Sequence, residues 1–404
     1  DDEMQADVIV INTCCFIHDA KEESIQTILE MAEYKKTGRL KALIVAGCLA
    51  QRYQQEICTE IPEVDAVLGT ASYHKIAETI EAALRGGGFL ELADINGLPF
   101  VDTKRLVTTG GHFAYLKIAE GCDKHCTYCI IPKLRGNYRS VPIERLLKEA
   151  KELAEQGVKE LILVAQETTI YGRDLYGEKS LHILLKELCK ISGIRWIRLL
   201  YCYPEEMDDR LIQVIKEEKK ICHYLDLPIQ HSEDEILKRM GRRTTKEQLI
   251  SLIRKLREEI PDIVLRTTLI TGFPGETTEQ HEKLLAFVDE MEFERLGVFT
   301  YSPEEDTPAA DFPGQVPEEE KEERRAQVME LQQEIVFEQA EEMTGKEVLV
   351  MIEGKVADEN AYVGRTYMDA PGVDGLIFIN TDRELMSGDF AKVTVTGAAE
   401  YDLI

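Results

Sequence analysis

The run "EGCDKHCTYCIIP" places Cys122, Cys126 and Cys129 in the pattern CxxxCxxC. Three thiolates so spaced can wrap one face of a cubane iron-sulfur cluster, each ligand reaching a different iron. The fourth iron then stays open to a substrate or cofactor. Structural zinc is the alternative, but zinc wants four ligands in a closed shell. His125 would have to be the fourth, and as the immediate neighbour of Cys126 it makes a strained ligand. The spacing, and the position just after an apolar strand, favour the cluster.

A second group lies near the start of the chain. Cys14 follows the apolar run "DVIVIN" and Cys48 follows "KALIVAG". Both would sit at the carboxyl ends of adjacent parallel strands, where open α/β sheets place their ligand sites. Cys15 and Cys58 are weaker candidates. Side chains alternate along an extended segment, so Cys15 faces away from Cys14. Cys58 ends a helical stretch with no geometric reason to reach the strand tips. Cys189, Cys202 and Cys222 read as small buried hydrophobes.

The elements that must hold these groups read as α/β. Strand-like 7–12 and 41–47 alternate with helical 19–34, 49–57 and 74–85, which implies an N-terminal doubly wound parallel sheet over 1–88. Residues 89–111 read as a linker. Six strand candidates follow, at 113–119, 160–165, 196–201, 223–229, 264–270 and 296–301, separated by helical segments such as 143–156, 244–259 and 277–290. Six such units predict a partial (β/α) barrel over 112–340, with chemistry at the carboxyl ends of its strands. A charged helix over 317–344 leads into short alternating strands, a small antiparallel β-barrel over 341–404.

The strand-end loops offer polar groups where a cofactor at the barrel mouth would lie. They are "AQET" with Gln166 and Glu167, "PIQHS" with Gln230 and His231, and "TGFPGET" with Glu276; Arg266 lies on the fifth strand. For Glu276 a structural role near a helix start is an equal alternative. His231 is as readily a packed or solvent-facing histidine.

Composition excludes several classes. At 404 residues, 44% hydrophobic and 30% charged, the chain reads as a multidomain globular protein. No apolar run approaches the roughly 18 residues a membrane span needs. The first thirty residues lack a secretory pattern. Ten cysteines in so long a chain do not form a disulfide scaffold, so a reduced, cytoplasmic setting is expected. The net charge of −27 opposes phosphate-backbone binding and favours a basic protein partner.

"CDKHCTYC", with aromatic Tyr128 before its last cysteine, on a six-unit β/α barrel resembles the radical S-adenosylmethionine (SAM) superfamily. The resemblance implies a [4Fe-4S] cluster whose open iron chelates SAM, with Tyr128, Gln166, Glu167, Gln230, Arg266 and Glu276 as candidate contacts to SAM or substrate. "NTC" and "GCLAQRY" resemble the methylthiotransferase branch, which carries a second [4Fe-4S] cluster on three cysteines and a terminal TRAM-like barrel. Cys14 and Cys48 would be two of those ligands; the family's third comes from a loop expected ahead of Asp1.

"INTCCFIHDAKEES", "AQETTIYG" and "VGRTYMDAPGVDG" are similar to the members that methylthiolate an aspartate of ribosomal protein S-twelve. Residues 341–404 carry 13 acidic against 5 basic residues, a net of −8, which suits that basic partner better than tRNA. The rival readings are tRNA adenosine methylthiolation and a non-catalytic iron-sulfur module that docks on the ribosome. Either cluster would need an electron donor.

Overall fold

The computed structural model describes residues 2–86, 89–97, 105–357 and 360–404. They form two compact units that do not follow chain order. The first holds the described residues ahead of Arg105 together with Glu120–Arg139 and Ser302–Asp311; the second holds Arg105–Ala119, Ser140–Tyr301 and Phe312–Ile404. The stretch expected as one domain over 112–340 is therefore shared between them. Residues 87, 88 and 98–104 of the expected boundary and linker lie outside the described residues.

In the first unit, β1 (Val8–Thr13), β2 (Ala42–Gly47), β3 (Ala66–Leu68) and β4 (Phe89–Glu91) pair in consecutive order, all parallel. Buried β2 explains the uninterrupted apolar run "ALIVAG", because helices cover both of its faces. Leu43, Val45 and Val67 pack against Ile28, Ala32, Leu49 and Ile57. On the opposite face Ala42, Ile44 and Ala66 meet Ala83, Ile76 and Ile80. Two expectations change. The segment read as the start of a linker supplies β4, and the helix expected over 49–57 is two short ones, Cys48–Tyr53 and Gln55–Glu60. They meet at Gln54, whose φ of 46° ends the first helix.

In the second unit, β5 (Phe113–Lys117), β6 (Glu160–Val164), β7 (Trp196–Leu199), β8 (Ile221–Asp226), β9 (Val264–Thr271) and β10 (Arg295–Thr300) form one parallel sheet in consecutive order. Consecutive order with a helix in the crossovers is the topology of a partial (β/α) barrel. The crossover helices bury one stripe each; Leu249, Ile253 and Leu256 do so on Lys246–Glu259. That helix and Thr278–Met291 both start with a capping box, Thr245 with Gln248 and Thr277 with Gln280.

The helix Glu318–Glu342 leads to β11 (Glu347–Lys355), β12 (Ala361–Arg365), β13 (Ile377–Asn380), β14 (Phe390–Thr394), β15 (Ala398–Ala399) and β16 (Asp402–Leu403). Their order in the sheet is β14-β11-β12-β13-β16-β15, antiparallel except for the pairing of β13 with β16. This barrel packs on the starts of the parallel strands. Trp196, Cys222, Tyr224 and Val264 bury Met351 and Ala370, and Trp196 meets Phe390 edge to face at 4.9 Å. Among the described residues no helix is long and apolar enough to cross a membrane.

Candidate metal centre

The parallel register aligns Thr13 with Gly47, so Cys14 and Cys48 leave adjacent strand tips one residue later. Each is held from its own side. The Ser24 hydroxyl accepts from Cys14 N at 3.1 Å and donates to Cys14 O at 2.9 Å. Gly47 has φ +98°, and a Cβ there would stand 2.5 Å from Thr13 O and 2.7 Å from Asn12 Oδ1. Only glycine makes so sharp a strand-to-helix turn, and that turn brings Cys48 to the first position of its helix.

Cys14 is exposed, Cys48 is buried, and Cys15 is wholly buried in the core beside Cys48. Burial pushes the Cys15 thiol up to about 12, with Cys48 and Cys14 adding in the same direction. Wholly enclosed by the core, Cys15 is a packing residue, as the strand alternation predicts. Cys58 lies partly buried against the same core.

The CxxxCxxC loop belongs to the same unit. Cys122 N donates to Gly136 O at 3.2 Å, Tyr138 N to Asp123 Oδ1 at 3.0 Å, and Cys129 N to Cys126 O at 3.0 Å. Gly121 has φ +81°, and a Cβ on it would stand 2.1 Å from Asn137 O, so the loop closes tightly ahead of Cys122. Cys122 and Cys126 are buried and Cys129 half-buried. Burial pushes the Cys129 thiol up to about 12, and the Cys126 and Cys122 sulfurs push it further.

Three cysteines on one tight loop, two of them buried, suit a site where iron supplies positive charge to their sulfurs. Among the described residues no three His, Cys, Asp or Glu side chains gather as they would around one metal ion. A cubane does not require that convergence, since its thiolates bind separate irons. His125 is exposed with φ 51°, which gives the strained position its structural form.

The segment Ser302–Asp311 ties the two cysteine regions into one unit. Glu304, wholly buried, takes Lys21 at 2.8 Å and Arg52 at 3.0 Å, and Arg52 also reaches Cys15 O at 3.4 Å. Ala309 N donates to Thr127 O at 2.9 Å, inside the CxxxCxxC loop. Nothing in the sequence distinguished Glu304 from the other acidic residues of "SPEED".

Of the barrel candidates, Gln166 and Glu167 follow β6, with Gln166 half-buried and Glu167 wholly buried. Gln230 sits at φ 71°, its N donating to Thr268 O and its O accepting from Ile270 N. That double tie explains the unusual backbone: the residue continues the sheet beyond β8. Tyr128 is half-buried in the cysteine loop.

Arg266 and Glu276 are engaged by protein groups. Arg266 pairs with Asp226 at 3.0 Å and approaches Asp374 of the terminal barrel at 3.5 Å. Glu276 Oε2 accepts from Gly272 N at 2.5 Å and Phe273 N at 3.1 Å. Its Oε1 faces Arg324 at 3.4 Å, His281 at 3.6 Å and His231 at 3.8 Å. Burial alone would raise this carboxyl, but the histidines and Arg324 outweigh it and hold it at about 2.

The structural alternative for Glu276 thus has direct contacts behind it. The helix starts later than expected, at Thr278 after its cap Thr277, so Glu276 precedes the first turn. His231 is wholly buried, its Nδ1 accepting from Glu233 N at 3.0 Å. Cys202 and Cys222 are buried as expected, whereas Cys189 is only half-buried.

A buried ion cluster went unread in the sequence. Glu160 is inaccessible and takes Arg198 at 2.8 Å and Arg365 at 2.7 Å. Arg365 continues to Glu353 at 2.6 Å, and Glu353 to His112 at 2.8 Å. Arg295 pairs with Asp369 at 2.6 Å. Much of "RTYMDAPGVD" therefore fastens the terminal barrel to the parallel sheet. Of the 13 acidic residues in 341–404, Glu353 pairs with Arg365, Asp369 with Arg295 and Asp374 with Arg266 inside the protein.

Comparison with known proteins fits this arrangement. Family models match residues 116–288 (Radical SAM superfamily), 1–69 (Uncharacterized protein family UPF0004) and 344–404 (TRAM domain). The chain is 65% identical over 403 residues to the "Ribosomal protein uS12 methylthiotransferase RimO" of Lachnoclostridium phytofermentans, covering 100% of this chain and 92% of that protein. Its counterpart from Clostridioides difficile is 51% identical over 99% of this chain and 90% of its own. In fold the chain is similar to the radical SAM methyltransferase TsrM of Kitasatospora setae, with a TM-score of 0.56 at 14% identity over 76% of this chain and 64% of that one. Similar to the Lachnoclostridium and Clostridioides proteins along its whole length, the chain belongs to the RimO family of radical SAM methylthiotransferases.

Proposed function

We propose that this protein adds a methylthio group to the β-carbon of an aspartate in ribosomal protein uS12, in the cytoplasm. The observation that carries the reading is 65% identity, end to end, to a protein of that name. Cys122, Cys126 and Cys129 would hold the cluster that binds SAM, and Cys14 and Cys48 would contribute to a second one. The cofactors supply the one-electron chemistry and the methylthio group.

The chain's own residues position and shield. Tyr128, Gln166, Glu167 and Gln230 are the proposed contacts to SAM and substrate. Arg266 and Glu276 act one step back: Arg266 is fixed by Asp226, and Glu276 locks the loop after β9 through two backbone N–H groups. An external electron donor completes the system.

The test sets the protein, reduced anaerobically with SAM, against uS12 and against tRNA. Methylthiolated aspartate on uS12 is the expected product. Binding of tRNA that weakens steeply with salt, with uS12 unmodified, would favour the tRNA reading. Failure to release 5'-deoxyadenosine would favour a non-catalytic module.

A further inference from the structure

Arg135 lies six residues beyond Cys129, at the end of the short helix Ile131–Arg135. Its Nη2 donates to Cys48 Sγ at 3.2 Å, and its Nη1 stands 3.7 Å from the buried Glu120 carboxylate. A residue of the first cysteine loop thus touches a cysteine of the other group, and all of these residues belong to one compact unit.

The aim of this guanidinium is fixed by packing. Leu134 sits in the core beneath Cys48 and Ala50, and Thr70 Oγ1 donates to Leu134 O at 2.8 Å. Arg139 Nη2 donates to Arg135 O at 3.1 Å. The side chain is 17% exposed, so it has left most of its water behind. A neutral thiol is a weak acceptor and repays little of that desolvation. A sulfur carrying negative charge, as a metal-bound thiolate does, accepts a charge-assisted hydrogen bond from arginine.

We propose that Arg135 is a positioning residue of the second cluster: an N–H···S donor to its Cys48 thiolate that sets the reduction potential of that cluster from the loop carrying the first. The proposal rests on the reading that Cys48 ligates a second cluster. Hydrogen bonds to the sulfurs and nearby positive charge both stabilise the reduced, more negative form of a cluster. Glu120 offsets part of the charge while holding the other arm of the guanidinium.

The experiment uses the full-length protein, reconstituted anaerobically, with R135Q and R135K beside wild type. Iron and sulfide are counted, and each cluster is titrated by potentiometry with electron paramagnetic resonance. The expected result is about eight irons in wild type. In R135Q the second midpoint moves to a more negative potential and the first stays in place. In R135K, which keeps the buried charge, the second midpoint falls between the other two. Eight irons with the second midpoint unmoved in both variants would overturn this proposal alone. About four irons in wild type would overturn it together with the second-cluster reading.

Discussion

Glu160→Gln removes the one negative charge between two buried guanidiniums while keeping the side chain's shape. Glu160 and Arg198 are fully inaccessible and Arg365 is 1% exposed, so water cannot replace the lost partner. Burial alone would raise the Glu160 carboxyl, but Arg198 and Arg365 outweigh it and hold it below its usual range. A group with a lowered pKa contributes stability above its unfolded value and loses it as the pH falls through the folded one. At neutral pH the whole contribution is present.

Breaking a buried pair by removing one partner costs about 3–5 kcal/mol. In a unit of this size that corresponds to a Tm lowered by roughly 10 °C. The assay is thermal unfolding followed by the fluorescence of Trp196, the only tryptophan, which pairs in register with Glu160 and packs on the terminal barrel. Glu178→Gln, which breaks the exposed Arg210–Glu178 pair at 3.0 Å, is the control and changes stability by under about 1 kcal/mol. A Glu160→Gln protein melting with the control would refute the argument that this charge cluster fastens the terminal barrel.

Three further outcomes follow. Alanine at Cys122, Cys126 or Cys129 removes about four irons per chain, read by iron analysis, whereas Cys58→Ala or Cys189→Ala leaves the count unchanged. Glu276→Gln lowers stability at neutral pH by on the order of 3 kcal/mol, since its carboxyl is held at about 2 against an ordinary 4.5. That difference from wild type shrinks as the pH falls from 4.5 toward 2, and denaturant titrations across that range read it. Gly47→Ala meets a Cβ clash and an unfavourable φ together, costing about 1–3 kcal/mol. It also disturbs the turn that presents Cys48, so the cluster proposed at Cys14 and Cys48 is expected to be lost before the one proposed at Cys122, read by iron content and electron paramagnetic resonance.

What could be read in the sequence was local. The alternation of apolar runs and helical stripes located every strand of the parallel barrel, because each strand is long enough to carry its own pattern. β3 and β4, with three residues each, are too short to show one, and β4 follows a glycine run that reads as a linker. The placement of Cys14 and Cys48 at neighbouring strand ends was legible because parallel register aligns the residues that end adjacent strands.

What stayed hidden was pairing between distant residues. Glu160 sits in the apolar run "ELILVA", but its partner Arg365 lies 205 residues away. Arg266 reads in the sequence as a candidate contact to SAM or substrate on the fifth strand, and the Asp374 beside it comes from another sheet. The acidity of 341–404 was visible, but not the share spent on Arg365, Arg295 and Arg266.

The product on the ribosomal protein is the most direct test of the proposed reaction. The reconstituted, reduced enzyme is given SAM and purified uS12, and the protein is digested and sequenced by mass spectrometry. The expected product carries a methylthio group on the β-carbon of one aspartate, absent when Cys126 is alanine. An unmodified uS12 alongside a methylthiolated tRNA adenosine would contradict it.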